Sequence, residues 1–352
     1  MKPLVVLLGG TRDAELKAVA DCLHGQGVVF VDETWLRTGR LIELSVPDSG
    51  ESVLRLGDRT VVPAEIGGIL CRPAVVRQAD GSLAGQFFEE NPELDKKFQR
   101  FDRAEAEALL LGGLFPTTAR WVNHPAADMV ANHKLHQLAE ARAAGLVVPR
   151  TLVSTDAAAL RDFWHENSGL VVSKAVHSIS TRFIRESVVT RQVGEDDIDV
   201  LTRSPRTATL FQELVPAEID VRVTLVGDLA FSCAIHSQEG GSRLDWRLDQ
   251  TVRMTAHNLE AGLLGKLQRL RSRLGLAYGA VDLRIRPDGT PVFLEINPRG
   301  IFSFVEYYTG APIARSLAMF LAGAGGESSP PSGESLVDRP RGETANGLAG
   351  RL

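Results

Sequence analysis

Apolar and polar residues alternate on both sides of Asp288-Gly289, near the C-terminal end of the chain. Two alternating segments around such a turn dipeptide predict a β-hairpin. A two-residue loop at Asp288-Gly289 places Asp282 directly opposite Glu295. Asn297 then lies on the same face as Glu295, two residues further along the second strand. The pattern therefore predicts that three oxygen-bearing side chains lie together on one face of a hairpin.

Carboxylates that face each other across two strands repel, at a cost of roughly 0.2–1 kcal/mol. A cation shared by Asp282 and Glu295 would remove this cost. Two carboxylates and an amide oxygen are hard ligands that suit Mg²⁺ held jointly with substrate phosphates. The alternative is that Asp282 and Glu295 are two surface acids on an ordinary hairpin.

The rest of the pattern predicts a mixed α/β (α+β) protein. Residues 1–120 begin with a strand and a helix and are expected to form a layered α/β domain. Residues 121–322 form a second domain, β-rich from about residue 170. Residues 323–352 have almost no apolar side chains and are expected to be a disordered tail. Predicted strands and helices are Leu4–Leu8, Asp13–His24, Val28–Val31, Leu41–Val46, Ile66–Cys71, Pro92–Leu111, a helix between Pro125 and Gly145, Leu146–Val153, Leu170–Val176, Thr181–Thr190, Thr207–Leu214, Asp220–Val226, Leu229–Ile235, Asn258–Leu274 and Pro312–Ala322.

Composition excludes some classes of protein. The chain has 352 residues, 44% of them hydrophobic, and a net charge of −5 without a basic, aromatic-rich block, so nucleic-acid binding is not expected. Three isolated cysteines argue against a zinc site and against a disulfide framework. No segment has the ~20 apolar residues of a membrane helix, and no signal peptide is recognised, so we expect a cytoplasmic protein without a membrane partner.

Two further segments offer candidate ligands for a phosphate-bearing molecule. Lys174 lies in an otherwise apolar strand and must meet an anion or solvent, unless it is an edge lysine or is paired with an acid. The polar loop 176–181 that follows is a candidate flap over phosphates. In the second segment, Asp220 or Glu218 could accept ribose hydroxyls. Arg222 shares a strand face with Asp220 and could point at phosphate.

Several motifs in one order resemble the ATP-grasp superfamily of carboxylate–amine ligases. Within it the chain looks most like the maturases of ribosomally made peptides of the graspetide (microviridin) type. The likeness runs from about Phe98 to Leu321. Its motifs are Trp121-Val-Asn-His-Pro-Ala, Asn132-His-Lys134-Leu-His-Gln-Leu, Val148-Pro-Arg-Thr-Leu-Val153, Arg222-Val-Thr-Leu-Val-Gly-Asp228, Ala234-Ile-His-Ser-Gln238, Asp245-Trp-Arg247 and Glu306-Tyr-Tyr-Thr-Gly-Ala-Pro312.

The resemblance implies an ATP-grasp fold preceded by an α/β domain, with ATP as cofactor and two Mg²⁺ ions, Mn²⁺ being an alternative. Lys134 and Lys174 match the lysines that embrace the nucleotide. Arg222 and Arg247 are candidates for steadying the transferred phosphoryl group. The adenine hinge matches Glu213, Leu214 and Val215; Glu218 and Asp220 match the ribose region; and the metal ligands match Asp282, Glu295 and Asn297.

The implied activity is an ADP-forming ligase. It would activate a Glu or Asp side chain of a peptide as an acyl phosphate and join it to a hydroxyl or amine. The implied partner is a precursor peptide with a leader segment, and a homodimer is a candidate assembly. Two alternatives stay open: a ligase that adds free amino acids to a protein or peptide, and a nucleotide- or leader-binding protein without catalysis. Relatives usually carry Asn-Gly and a Trp-containing phrase where this chain has Arg299–Phe304, which leaves the acceptor undetermined.

Overall fold

The computed structural model of the chain describes residues 3–10, 12–35, 38, 40, 42–77, 83–88, 93–174, 190–201, 209–241, 243–249 and 251–323. The predicted flap 176–181, most of the predicted strand Thr181–Thr190 and the predicted tail beyond Gly323 lie outside the described residues. None of the helices in the described ranges combines the length and the apolar character needed to cross a bilayer.

The described residues contain strands and helices in the following order. The strands are β1 (Leu4–Gly9), β2 (Gly27–Val31), β3 (Ile42–Ser45), β4 (Val53–Leu56), β5 (Arg59–Val61), β6 (Ile66–Arg72), β7 (Ala74–Arg77), β8 (Leu83–Gln86), β9 (Arg120–Val122), β10 (Thr151–Ser154), β11 (Val171–Lys174), β12 (Arg191–Gln192), β13 (Thr209–Glu213), β14 (Ile219–Val226), β15 (Leu229–Ile235), β16 (Met254–Ala256), β17 (Tyr278–Ile285) and β18 (Pro291–Asn297). The helices are α1 (Ala14–Cys22), α2 (Lys96–Leu114), α3 (Pro125–Ala131), α4 (Lys134–Ala143), α5 (Ala157–Glu166), α6 (Glu195–Leu201), α7 (Ala261–Arg273), α8 (Ser303–Thr309) and α9 (Ile313–Leu321).

The N-terminal region is built on a parallel sheet of order β2-β1-β6-β9. Every residue of β1 is buried, as expected for a central parallel strand that is covered on both faces. β9 extends this sheet to Val122. Two small antiparallel sheets, β3-β4-β5 and β7-β8, are also present; β3 matches the predicted strand Leu41–Val46, whereas β4, β5, β7 and β8 were not predicted from the sequence.

Two antiparallel sheets follow. The first has the order β10-β13-β11-β12 and packs on α5 and α6 through Leu160, Phe163 and Phe211. The second has the order β16-β15-β14-β17-β18. One of its faces packs on α4 and α7, and the other packs in part on α8 and α9. The uncovered part of that second face carries the polar rows described below.

The hairpin β17–β18 differs from its prediction at the turn. The loop has three residues, Pro287 to Gly289, because Arg286 and Thr290 pair and the N–H of Gly289 donates to the carbonyl of Arg286. Gly289 has φ +83°, a left-handed conformation that favours glycine. The predicted two-residue loop is therefore wrong.

The predicted helix between Pro125 and Gly145 is also two helices rather than one. α3 ends at Ala131, and α4 begins at Lys134 in a new direction. The side-chain amide of Asn132 donates to the carbonyl of Asp128, and the Nδ1 atom of His133 lies 3.0 Å from the carbonyl oxygen of Met129. These local contacts with the last turn of α3 occupy the residues that would have continued it.

Candidate active site

The predicted pair of carboxylates is confirmed, although the turn was predicted wrongly. Asp282 pairs directly with Glu295, because the register between β17 and β18 shifts by one residue after Asp282. Leu294 is the extra residue of this bulge, and it compensates for the longer loop. Without the bulge, the three-residue loop would have turned Glu295 to the opposite face.

Three charged residues form a row across neighbouring strands. Arg222 on β14 pairs with Asp282 on β17, which pairs with Glu295 on β18. The Nε of Arg222 lies 3.1 Å from Oδ1 of Asp282. Asn297 lies on the same face of β18, and its Nδ2 lies 3.3 Å from Oε1 of Glu295. The three predicted metal ligands are thus brought together on one face of the sheet.

Two cations from other parts of the chain reach Glu295. Nζ of Lys134, the first residue of α4, lies 3.5 Å from Oε2, and Nη1 of Arg247 lies 3.9 Å from Oε1. Burial alone raises the pKa of Glu295, but the charges of Lys134, Arg247 and Lys174 outweigh burial and lower it well below the usual range. Glu295 is therefore ionised at neutral pH.

Asp282 has the opposite shift. Burial raises the pKa of Asp282 more than Arg222 lowers it, and the neighbouring charge of Glu295 raises it further. The two carboxylates therefore lack enough local positive charge to stabilise both ionised forms. A divalent cation between Asp282 and Glu295 would supply it, and the amide oxygen of Asn297 adds a third hard ligand. The donor set fits Mg²⁺, although no group of three His, Cys, Asp or Glu side chains suited to a metal is found among the described residues.

Lys174 approaches the same row from the preceding sheet. Its strand, β11, lies between β13 and β12, so it is not an edge lysine. Its Nζ donates to Oε1 of Gln212 at 2.8 Å, and Nε2 of Gln212 donates to Thr151. Burial lowers the pKa of Lys174 to about 8, with Glu295 acting against that shift. A half-buried ammonium held by a neutral amide is suited to meeting an anionic ligand.

Asp220 does not face an open site. Its carboxylate accepts from Nε and Nη2 of Arg284 at 2.8 and 3.2 Å, and both side chains are buried. The two residues pair across β14 and β17, so the strands themselves align opposite charges. The structure thus argues against the predicted ribose role of Asp220, because a buried guanidinium already occupies both of its oxygens. Glu218 is exposed, and its ribose role stays a prediction.

The predicted adenine hinge begins at Glu213, the last residue of β13, and continues into the irregular segment that follows. The carboxylate of Glu213 accepts from Arg286 at 2.7 Å. The N–H of Leu214 donates to the carbonyl of Leu170, and the carbonyl of Val215 accepts from Arg284. The contacts with Arg284 and Arg286 fix the hinge to the hairpin that carries Asp282, and the contact with Leu170 fixes it to the preceding sheet.

Sequence reasoning missed several residues that build the site. Gln137 on α4 both donates to the carbonyl and accepts from the N–H of Ile296, which docks α4 against the edge strand β18. Lys134 precedes Gln137 by one helical turn and so comes to Glu295. Arg284 was also missed, although its alternation with Asp282 along one strand would have placed it on the same face.

A salt bridge and a tethered loop complete the surroundings. Arg247 forms a two-pronged pair with Asp245, at 2.7 Å from Nε and 2.6 Å from Nη2. Burial raises the pKa of Asp245, but the hydrogen bond and charge of Arg247 lower it overall.

The loop that follows Asn297 lies close against the sheet. A Cβ on Gly300 would lie 2.3 Å from that of Ala280, so this loop requires glycine where it crosses the sheet. Four side chains from other parts of the protein hold this loop. Asn123, Arg72 and Tyr278 donate to the carbonyls of Pro298, Arg299 and Gly300, respectively. The carboxylate of Glu15 accepts from the N–H groups of Phe302 and Ser303.

Comparison with solved structures identifies the fold. The chain is similar to the macrocyclase MdnC of Microcystis aeruginosa MRC, solved with its precursor peptide MdnA. Identity is 26%, the match covers 91% of this chain and 99% of MdnC, and the TM-score is 0.74. An ATP-grasp ligase of Chryseobacterium gregarium, solved with ADP and a leader and core peptide, matches at 21% identity over 92% and 98% of the two chains, with a TM-score of 0.77. The ligase PsnB, solved with a precursor variant, Mg and ADP, matches at 22% identity over 92% and 98%, with a TM-score of 0.68.

No sequence model of a known protein family matches the chain, and no curated protein sequence matches it. The structural matches nevertheless cover 91–92% of the chain. The chain has the ATP-grasp fold, and the proteins that it resembles are ATP-grasp ligases of ribosomally made peptides. The resemblance inferred from the sequence motifs is confirmed.

Proposed function

We propose that this protein is an ADP-forming ligase that matures a ribosomally made peptide. The observation that carries the proposal is the convergence of two carboxylates and four cations on one sheet face. Asp282 and Glu295 are paired there, and Lys134, Lys174, Arg222 and Arg247 come from four different elements. A surface hairpin has no reason to collect cations from two sheets, a helix and a loop.

The proposed reaction has two steps. A Glu or Asp side chain of the peptide attacks the γ-phosphorus of ATP, the bond to the β,γ-bridging oxygen breaks, and an acyl phosphate and ADP are formed. A hydroxyl or amine of the same peptide then attacks the acyl carbon, and phosphate leaves. Each ATP thus yields one ADP, one phosphate and one ester or amide, and the hydroxyl or amine releases its proton as the new bond forms.

We assign each residue a role that is compatible with its position. Lys134 and Lys174 bind the phosphates, and Arg222 and Arg247 steady the phosphoryl group in transfer. The segment Glu213 to Val215 contacts adenine through its backbone, and Glu218 binds the ribose. Asp220 holds Arg284 rather than the nucleotide.

Asp282, Glu295 and Asn297 would hold two Mg²⁺ ions, and Mn²⁺ is the alternative metal. When bound, the metal neutralises charge between the phosphates and the anionic nucleophile. PsnB was solved with Mg and ADP, which supports the choice of metal and nucleotide. MdnC was solved with its precursor peptide, which supports a precursor peptide as the partner here.

Three further parts of the proposal concern organisation. We assign residues 1–120 to the N-terminal domain, 121–322 to the ATP-grasp domain and 323–352 to a tail. A homodimer and a cytoplasmic location are also part of the proposal.

The test is mass spectrometry of a candidate precursor peptide after incubation with the protein, ATP and Mg²⁺. Loss of one water for each bond formed, with one ADP released per bond, is the expected result. A gain equal to an amino-acid residue would instead show a ligase that adds free amino acids. Nucleotide binding with no ADP release for any precursor encoded beside this chain's gene would favour a binding protein and contradict the proposal.

A further inference from the structure

Arg222 is a buried cation whose donors are not all used. Its side chain is 6% exposed, and its charge is balanced by Asp282 at 3.1 Å. Nε and Nη1 are both shielded from solvent and have no hydrogen-bond partner among the described residues, since the contact with Asp282 lacks hydrogen-bond geometry. These two nitrogens carry three N–H groups, and leaving them unsatisfied is costly unless a ligand accepts from them.

Two aromatic rings hold this guanidinium in place. Its central carbon lies 5.7 Å from the ring centre of Trp246 and 5.7 Å from that of Phe304. The two ring centres are 5.3 Å apart, so the three groups form a nearly equilateral triangle. The cation therefore lies in a corner made by two rings, which attract it through cation–π interaction but accept no strong hydrogen bond.

The two rings come from two different segments beside the sheet. Trp246 lies between Asp245 and Arg247, at the start of a short 3-10 helix. Phe304 is the second residue of α8, directly after the tethered loop that follows Asn297. The corner thus links Arg222 to two segments that are far apart in the chain.

We infer that Trp246 and Phe304 are positioning residues that hold Arg222 so that its free N–H groups meet an anionic oxygen of the phosphoryl group in transfer. This inference rests on the proposed function and adds to it. The rings hold the guanidinium beside Asp282 and shield it from water, which strengthens its interaction with charge that develops during phosphoryl transfer. Binding of ATP in the ground state depends mainly on the hinge, Glu213–Val215, and on Lys134 and Lys174. Loss of either ring should therefore lower kcat rather than raise KM for ATP.

The experiment compares Trp246→Leu, Trp246→Phe and the control Leu248→Ala by steady-state ADP release with a precursor peptide. Leu248 is two residues further along the same short helix and is 60% exposed. We expect Trp246→Leu to lower kcat about tenfold, in the range of a desolvated cation–π contact, with KM for ATP changed less than about threefold. Trp246→Phe should recover kcat to within about threefold, because it restores a ring. Leu248→Ala should match the unaltered protein.

A double-mutant cycle separates positioning from general disruption. In an Arg222→Met background, Trp246→Leu should lower kcat by less than about twofold, since no guanidinium is left to position. An additional loss as large as in the unaltered background would overturn the inference. Equal losses of kcat for Trp246→Leu and Leu248→Ala would also overturn it, because the effect would then come from disturbance of the short helix that carries both residues.

The proposed function is tested separately in the unaltered protein. Binding of ADP with Mg²⁺, measured by calorimetry, and water loss from the peptide report on it without any substitution. If the unaltered protein is active and Trp246→Leu keeps full kcat, the positioning role of Trp246 is refuted and the ligase assignment is left intact.

Discussion

The pair of Asp220 and Arg284 offers a quantitative test of the site's framework. Both side chains are buried, and both carboxylate oxygens accept from the guanidinium. Asp220→Ala leaves a buried cation without its partner, which costs about 3–5 kcal/mol. Arg284 keeps three carbonyl acceptors, on Val215, Arg243 and Leu244. We therefore expect the lower end, about 3 kcal/mol, or a fall in melting temperature of about 6–12 °C for a domain of this size.

The assay is thermal unfolding followed by circular dichroism, with Glu166→Ala as the matched control. Glu166 pairs with Arg150 at 2.7 Å, but both side chains are more than half exposed. Such a pair contributes about 0–1 kcal/mol, so the control should move the melting temperature by about 3 °C or less. The reasoning is refuted if Asp220→Ala is no more destabilising than Glu166→Ala. Asp220→Asn with unchanged stability but weaker binding of ADP would instead restore the ribose role.

Three further predictions concern the charges of the site and its loop. Glu295→Gln should lower ADP release about 100-fold at saturating Mg²⁺, as expected when a metal site is disrupted, and near-normal turnover in that variant would contradict the metal assignment. Burial lowers the pKa of Lys174 to about 8, so its ammonium group loses its proton as pH rises through that value, and kcat/KM for ATP should fall about tenfold per pH unit above it. Lys174→Arg should move this fall to higher pH. A kcat/KM profile that stays flat to pH ~10 in the unaltered protein would argue against a charged Lys174 that binds the phosphates. Glu15→Gln should lower the free energy of unfolding, measured by chemical denaturation, by about 1–3 kcal/mol, because the buried carboxylate accepts from Arg72 and from the loop after Asn297. Ser303→Ala removes only one of those donors and should lower it less. The reverse order would show that Glu15 does not tether the loop.

Local pattern in the sequence determined much of the chemistry of this protein. Alternation along β17 and β18, read with a turn at Asp288-Gly289, led to the pairing of Asp282 with Glu295, although the loop length and the bulge that produce this pairing were not foreseen. The same alternation put Asn297 on that face and would have placed Arg284 there. The buried strand β1 was also evident, since the run of five apolar residues Leu4–Leu8 is typical of a buried strand.

Register was decided only by the tertiary structure. The loop is one residue longer than its dipeptide indicated, and the bulge at Leu294 restores the pairing. A loop's length depends on the backbone conformation of the whole hairpin, and a bulge depends on the neighbouring sheet, so neither can be read from two turn residues.

Partners of the charged residues were decided in the same way. Asp220 and Glu295 are both acids on strands, yet one is bound by a buried arginine and the other meets cations that come from α4 and a distant loop. Which oxygen meets which cation depends on how α4 docks through Gln137 on β18, far away in the chain. The sequence determined the residue types and the face on which they lie, and long-range packing decided which of them hold the framework and which stay available to a ligand, because electrostatic partners are chosen by distance in space and not by distance along the chain.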